Sequence, residues 1–359
     1  MYNNIYLKRL DHLRFYAISI VAFFHFKGRV LPAENWGIDL KDTIKLWINQ
    51  GSTGVSLFLV LSGFLFTVIS DAGRKEINYW MFIKNRVLRI FPLLTVVFFV
   101  ILCVGKKDVG PIDILRLLFL QLNTGTDRPG WGEQFFPVGV IWTIAVEFQF
   151  YLIFPFLALF LKRYGPVYIL SLIITFMAIR FGVIALKGEG YAPNFYSTII
   201  GRIDQFLIGI IAGYLYVKGF MLRMPGTVRY VLLISSLALL TIYLGMEKSR
   251  FFIGVTGYTI EGVLWVSFLY MYITVPFSRL NWLSKMIGKI GMVSYSMYLL
   301  HLPVAWTIVK MGWAGTVIAD RVKDTALYLL PAVIIFSFFT YYTIERPFLS
   351  MKVKYFKEN

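Results

Sequence analysis

Residues 10–26 read LDHLRFYAISIVAFFHF. Whether this stretch enters a membrane or folds into a water-soluble core decides the architecture of the chain. Between Arg14 and His25 no side chain is charged. Eleven helical steps separate the two residues, about 1100°, or three turns and about 20°, which puts them on one helix face about 16 Å apart along the axis. An arginine near a membrane edge and an imidazole deeper in the apolar layer are both costly in lipid, and ionisable groups at such depth are candidates for function.

Composition points to the membrane. Of 359 residues, 58% are hydrophobic, 18% aromatic and 15% charged, whereas soluble domains run near a quarter charged. The spacing of apolar runs predicts about ten spans, near 12–30, 52–70, 87–105, 137–161, 166–186, 198–217, 229–246, 256–276, 290–309 and 326–345. Such spans need about 20 apolar residues each. The expected fold class is therefore all-α, a polytopic membrane protein. The first apolar run lacks a small-residue cleavage site and reads as a span, not as a cleaved signal.

The net charge of +17 could suggest a nucleic-acid partner, but its distribution argues against one. Lys and Arg concentrate in loops on the side of the first segment's start, and most acids fall in the opposite loops. That is the positive-inside pattern, with both termini cytoplasmic. The single cysteine, Cys103, excludes a disulfide framework and a thiolate metal site. No linker, low-complexity tract or inverted repeat divides the chain. Within 106–136, IDILRLLFLQL suits a helix lying at the outer interface, followed by the Gly-rich loop NTGTDRPGWGEQ.

The ionisable residues inside the expected spans are few: His25, Glu147, Arg180, Arg202, Asp204, Glu261 and His301. Their expected depths converge on the middle and outer half of the bilayer, which suggests a polar cavity. His25 is the leading candidate for a general base, since an imidazole titrates near neutrality. A neutral histidine hydrogen-bonded to a neighbouring helix is the other reading, and for an arbitrary buried histidine the more common one. In GRKEINYWMFIKNRVLRIFP, five cations including Arg74 and Lys75 precede Pro92, and Arg86 and Arg89 are neighbours on one helix face. Two such guanidiniums suit a phosphate-bearing ligand from the cytosol; plain positive-inside anchoring explains them as well. Glu147 is placed to orient a histidine or pair with an arginine. His301, in SYSMYLLHLP, either serves a site or bonds a carbonyl freed near Pro303. Gly51, Gly54 and Gly63 favour close helix approach, the first two also suiting a loop at the outer mouth.

Taken in order, these residues resemble the acyltransferase-3 family of integral membrane acyltransferases. Asp11, Arg14, Ala17 and His25 match its opening D-x-x-R-x-x-A and R-x10-H pattern, and GVSLFLVLSGFLF at 54–66 matches its second-span signature. Arg86, Arg89, Ile90 and Pro92 match R-x-x-R-I-x-P. Trp142, Glu147, Phe150 and Tyr151 resemble the W…E…FY element, as RIDQFLIGIIAG at 202–213, SYSMYLLH at 294–301 and ERPF at 345–348 resemble later ones. His12 departs from the family, which usually has a small residue there, and suggests an unusual cytosolic entrance.

The resemblance implies one integral membrane acyltransferase domain over 1–359, in the inner or plasma membrane, without the esterase-like domain some members append. It implies transfer of an acyl group, commonly acetyl, from cytosolic acyl-CoA to a hydroxyl of a sugar or envelope glycan, itself free or lipid-linked. His25 would be the base, Arg14 its partner and Glu147 a further catalytic group. Arg86 and Arg89, with Arg74 and Lys75, would serve the donor's phosphates. Arg202, His301, Asp11 and Trp142 would meet the acceptor. No metal is expected, membrane lipids surround the chain, and the oligomeric state is open. The pantetheine arm would thread inward to His25 while the acceptor approaches from the outer side. A transporter or flippase of an acyl donor or lipid-linked glycan would use the same buried groups. A His25→Ala variant that keeps transport but loses acylation separates the two.

Overall fold

The computed structural model describes residues 8–27, 31–104, 110–123, 139–220, 224–275, 281–313 and 318–357. Among them there is no strand, only one isolated antiparallel bridge between Ile77 and Phe356. The long helices are α1 (Lys8–Phe26), α2 (Leu40–Asn49), α3 (Thr53–Ile69), α4 (Tyr79–Val104), α5 (Pro111–Leu118), α6 (Ile141–Tyr164), α7 (Pro166–Lys187), α8 (Ile199–Val217), α9 (Gly226–Gly245), α10 (Arg250–Thr274), α11 (Asn281–Met292), α12 (Ser294–Lys310) and α13 (Arg321–Leu349). All-α is the observed class.

Six of these helices are long and apolar enough to cross a membrane: α6 to α10 and α13. Two bent pairs, α2 with α3 and α11 with α12, each turn through 70° and raise the number to eight if each pair is one span. Ten were expected. The expected spans 12–30 and 87–105 fall on α1 and α4, whose N-terminal halves carry Lys8, Arg9, Asp11 and Arg14, and Lys84, Arg86 and Arg89; both expected spans end in residues outside the described set. Large apolar side chains on the span-length helices are solvent-exposed, among them Val231 of α9 and Ile335 and Phe339 of α13. A surface so apolar fits lipid rather than water. In the expected interfacial segment, α5 forms and exposes Ile112, Ile114, Leu115 and Leu118; the loop from 124 on lies outside the described residues.

The chain divides into two compact units. One comprises Met1–Phe24, Val30–Glu76 and Phe156–Met292. Its core gathers Leu57, Val60, Leu61 and Phe64 of α3 with Leu10, Leu13 and Ala17 of α1 and Trp265 and Leu269 of α10. Tyr16, Trp47 and Trp265 meet edge to face at 6.0–6.3 Å between ring centres, an arrangement that suits the ring quadrupoles.

In this unit α3 crosses α8 closely, and glycine permits it. A Cβ on Gly63 would lie 2.1 Å from the Phe206 carbonyl oxygen, and one on Gly209 would lie 2.3 Å from that of Val60. Gly54 and Gly51 play the same part against α1, where a Cβ would meet the carbonyls of Ala17 at 2.5 Å and Ile20 at 2.2 Å. Both therefore serve the expected close approach. Even Gly63→Ala must push two backbones apart, and a loss of about 1–3 kcal/mol is expected from overpacking. Thermal unfolding in detergent measures it, with Gly182→Ala, which faces open space, as the control.

The second unit comprises His25–Arg29, Ile77–Pro155 and Val293–Asn359. Here Phe82, Phe150 and Phe154 are fully buried, with ring centres 5.7–5.9 Å apart where they touch. α4, α6 and α12 run through Pro92, Pro155 and Pro303, as helices do when neighbours satisfy the freed carbonyls.

Candidate functional site

α1 is unbroken from Lys8 to Phe26, so Arg14 and His25 share one helix, as the spacing predicts. Its last turn carries His25 into the second unit. There the exposed His25 ring lies 5.4 Å from the ring of His301, tilted by 45°. His301 is 1% exposed. Its Nδ1 is 2.7 Å from the carbonyl oxygen of Tyr298. A carbonyl only accepts, so Nδ1 carries the proton and Nε2 of the neutral ring presents a bare lone pair. That Nε2 is buried and has no hydrogen-bond partner. The structural reading of His301 is thus half met: it bonds a backbone carbonyl, but the one Pro303 frees in α-helical register is that of Leu299. Tyr298 is held in turn by Thr143, whose Oγ1 lies 2.9 Å from its hydroxyl.

Arg86 and Arg89, one turn apart on α4, each lie over an aromatic face. The Arg86 guanidinium sits 5.3 Å from the Phe82 ring centre and 5.7 Å from that of Tyr151; Arg89 sits 5.6 Å from Tyr295. Arg89 donates to Glu345 at 3.1 Å. Glu345 is 1% exposed and also accepts from Ser296. Glu147 accepts from the Tyr151 hydroxyl, a tyrosine partner that the sequence did not suggest. Stacking of this kind fixes a guanidinium plane. Trp142 is buried in the first turn of α6.

The other nominated residues lie in the first unit. Asp11 and Arg14 form an ion pair at 2.6 Å, a pairing their i,i+3 spacing could have revealed. Arg74 pairs with Asp71 at 2.9 Å and is exposed beside Lys75. Arg202 is clamped between Tyr196 and Tyr258, 4.6 and 4.1 Å from their ring centres, and donates through Nε to the Tyr196 carbonyl at 2.9 Å. Glu261 accepts from Thr53. His12, expected to alter an entrance, is a tie: Nε2 donates to the Ser284 carbonyl at 2.9 Å and Nδ1 is 3.0 Å from the Tyr272 hydroxyl.

Sequence reasoning missed the pairing of Arg180 with Asp204, both fully buried, at 2.8 Å. Arg180 also donates to the carbonyls of Ile200 at 3.2 Å and Val255 at 2.8 Å. Val255 lies in a π-helical turn, Ile253–Gly257, whose register leaves carbonyls open to outside donors. Glu345, the partner of Arg89, had been quoted only as the first residue of ERPF. A lone carboxylate closing a long apolar span was the available signal.

A family model described as an acyltransferase domain, that of the acyltransferase-3 family, matches residues 7–345. The O-acetyltransferase OatA of Staphylococcus aureus (strain NCTC 8325 / PS 47) is 26% identical over 329 residues, covering 85% of this chain and 51% of the relative. A provisionally named O-acetyltransferase of Staphylococcus aureus (strain COL) is 25% identical over 385 residues, covering 97% of this chain and 58% of the relative. The chain thus spans a little over half the length of these relatives. No solved structure matches it.

Proposed function

Because the chain belongs to the acyltransferase-3 family, we propose that it is a membrane O-acetyltransferase that moves an acetyl group from cytosolic acetyl-CoA to a hydroxyl of a sugar or envelope glycan. The observation that carries the reading is the exposed imidazole of His25 set 5.4 Å from the buried, proton-fixed ring of His301. An exposed base backed by a second imidazole suits removal of a proton from an incoming hydroxyl.

In this reading the acceptor O–H gives its proton to His25 as its oxygen bonds to the thioester carbonyl carbon. The C–S bond then breaks, and the CoA thiolate leaves with a proton returned from the imidazolium. Arg86 and Arg89 hold the donor's phosphates at the cytosolic face, and both termini lie on that side of the inner or plasma membrane. The relatives' name, O-acetyltransferase, supports acetyl as the group and oxygen as the acceptor atom.

Donor kinetics test the phosphate assignment. Arg86→Gln with Arg89→Gln should raise KM for acetyl-CoA by about 100-fold, at about 1.4 kcal/mol per lost charge-assisted contact. KM for acetyl-pantetheine, which lacks the nucleotide, should stay unchanged. Equal losses with both donors would contradict the assignment.

A further inference from the structure

Residues 351–357, which follow α13, are fastened along the start of α4. The Asn85 side chain grips the Val353 backbone at both ends: Nδ2 donates to its carbonyl at 2.7 Å, and its N–H donates to Oδ1 at 3.0 Å. Asn85 is 2% exposed. The Asn78 N–H donates to the Tyr355 carbonyl at 2.8 Å, Ile77 and Phe356 form a bridge, and the Tyr355 ring meets buried Phe82 at 5.4 Å. An amide that satisfies both backbone groups of one residue holds that residue in a single register. The residue next to the gripped one is Lys352, and Arg86 is the neighbour of the gripping one.

Charge decides what this arrangement is for. Arg86 and Arg89 face two carboxylates: Glu345 bonds Arg89, and Glu147 is held by Tyr151, whose ring lies under Arg86. Two guanidiniums against two carboxylates leave no net charge for an anion. Lys352 lies in the field of Arg86, Arg89 and Glu345 and tips the set to cationic.

We propose that residues 351–357 form a strap that delivers Lys352 as the third cation of a phosphate site with Arg86 and Arg89, completing the mouth that takes the donor's phosphate groups. The proposal rests on the acetyl-CoA reading for the identity of the donor, but the site's phosphate chemistry stands apart from it. Burial, and after it repulsion by Arg86 and Arg89, lower the Lys352 pKa from 10.5 to about 8. Its charge is therefore present at pH 7 and lost as pH rises through about 8, whereas arginine does not titrate there.

The test measures binding of coenzyme A, inorganic pyrophosphate and pantetheine to the full chain in phosphatidylcholine nanodiscs. Lys352→Gln should weaken coenzyme A and pyrophosphate by about 10-fold, the value of one charge-assisted contact, and leave pantetheine unchanged. Asn85→Ala, which releases the strap, should do the same. Lys352→Arg should restore affinity and abolish the decline between pH 7 and 9. Wild-type coenzyme A affinity in Lys352→Gln, with loss in Arg86→Gln, would overturn the strap's role and leave the donor reading standing. Equal loss in the Gln and Arg variants would also overturn it, as a packing effect. A Lys352-dependent affinity for pyrophosphate without transfer from acetyl-CoA would uphold the phosphate site and overturn the donor. A Lys352 effect confined to nanodiscs with added phosphatidylglycerol would assign the site to a lipid phosphate and overturn the proposal.

Discussion

Replacing His25 with alanine should lower acetyl transfer by about 100- to 10,000-fold, the range a positioned general base contributes. The ring is exposed at the last turn of α1, so its loss opens no buried cavity and thermal unfolding should stay near that of the wild type. The loss should appear in kcat, with KM for acetyl-CoA little changed, because the proposed phosphate site at Arg86 and Arg89 does not include His25. His25→Ala that retained wild-type kcat would place the base on another residue. Acetyl-CoA or glycan transport that survives this change while acylation disappears would show that any carrier activity is separable from the chemistry.

Arg180→Met should destabilise the protein by about 3–5 kcal/mol, because it strands a buried carboxylate. Asp204 would keep only Thr259 and the Gln205 N–H as donors. The double variant Arg180→Met, Asp204→Leu removes both charges and should recover most of the loss, since a buried ion pair and a well-packed apolar pair are of similar stability. Thermal unfolding of the three proteins in detergent decides the matter. Equal losses in the single and double variants would mean that the guanidinium matters through its carbonyl contacts with Ile200 and Val255 rather than through the charge pair.

Local spacing carried much of the reading. Arg86 and Arg89 lie three apart, and three apart on a helix means neighbours; the structure stacks both on aromatic rings of one unit. Gly63 and Gly54 announced close approach because small residues let backbones touch. The class was legible because apolar runs of span length have few other fates. Span number was less so: α1 and α4 carry their charges well inside the helix, and two bends of 70° join pieces that a linear reading separates or truncates.

Tertiary pairing was the illegible part. Arg180 and Asp204 are on different helices, and nothing in either helix's period identifies the other. His301 could be nominated, yet its tautomer depends on a bond to Tyr298 that only coordinates reveal. Lys352 sits in a basic run outside the apolar spans, where anchoring explains a lysine without further cause. What ties its segment to α4 is Asn85, an ordinary polar residue in sequence and a clasp on the Val353 backbone in the fold.

The central claim is that this chain makes an oxygen ester from acetyl-CoA with His25 as base. The most direct test incubates the purified chain in nanodiscs with acetyl-labelled acetyl-CoA and a sugar acceptor. Ester formation is then read by mass spectrometry beside release of free CoA thiol. The wild type should yield acetylated sugar and CoA in equal amounts, and His25→Ala should yield neither above background. Equal ester formation by the two proteins, or acetyl-CoA crossing the bilayer intact with no ester at all, would contradict it.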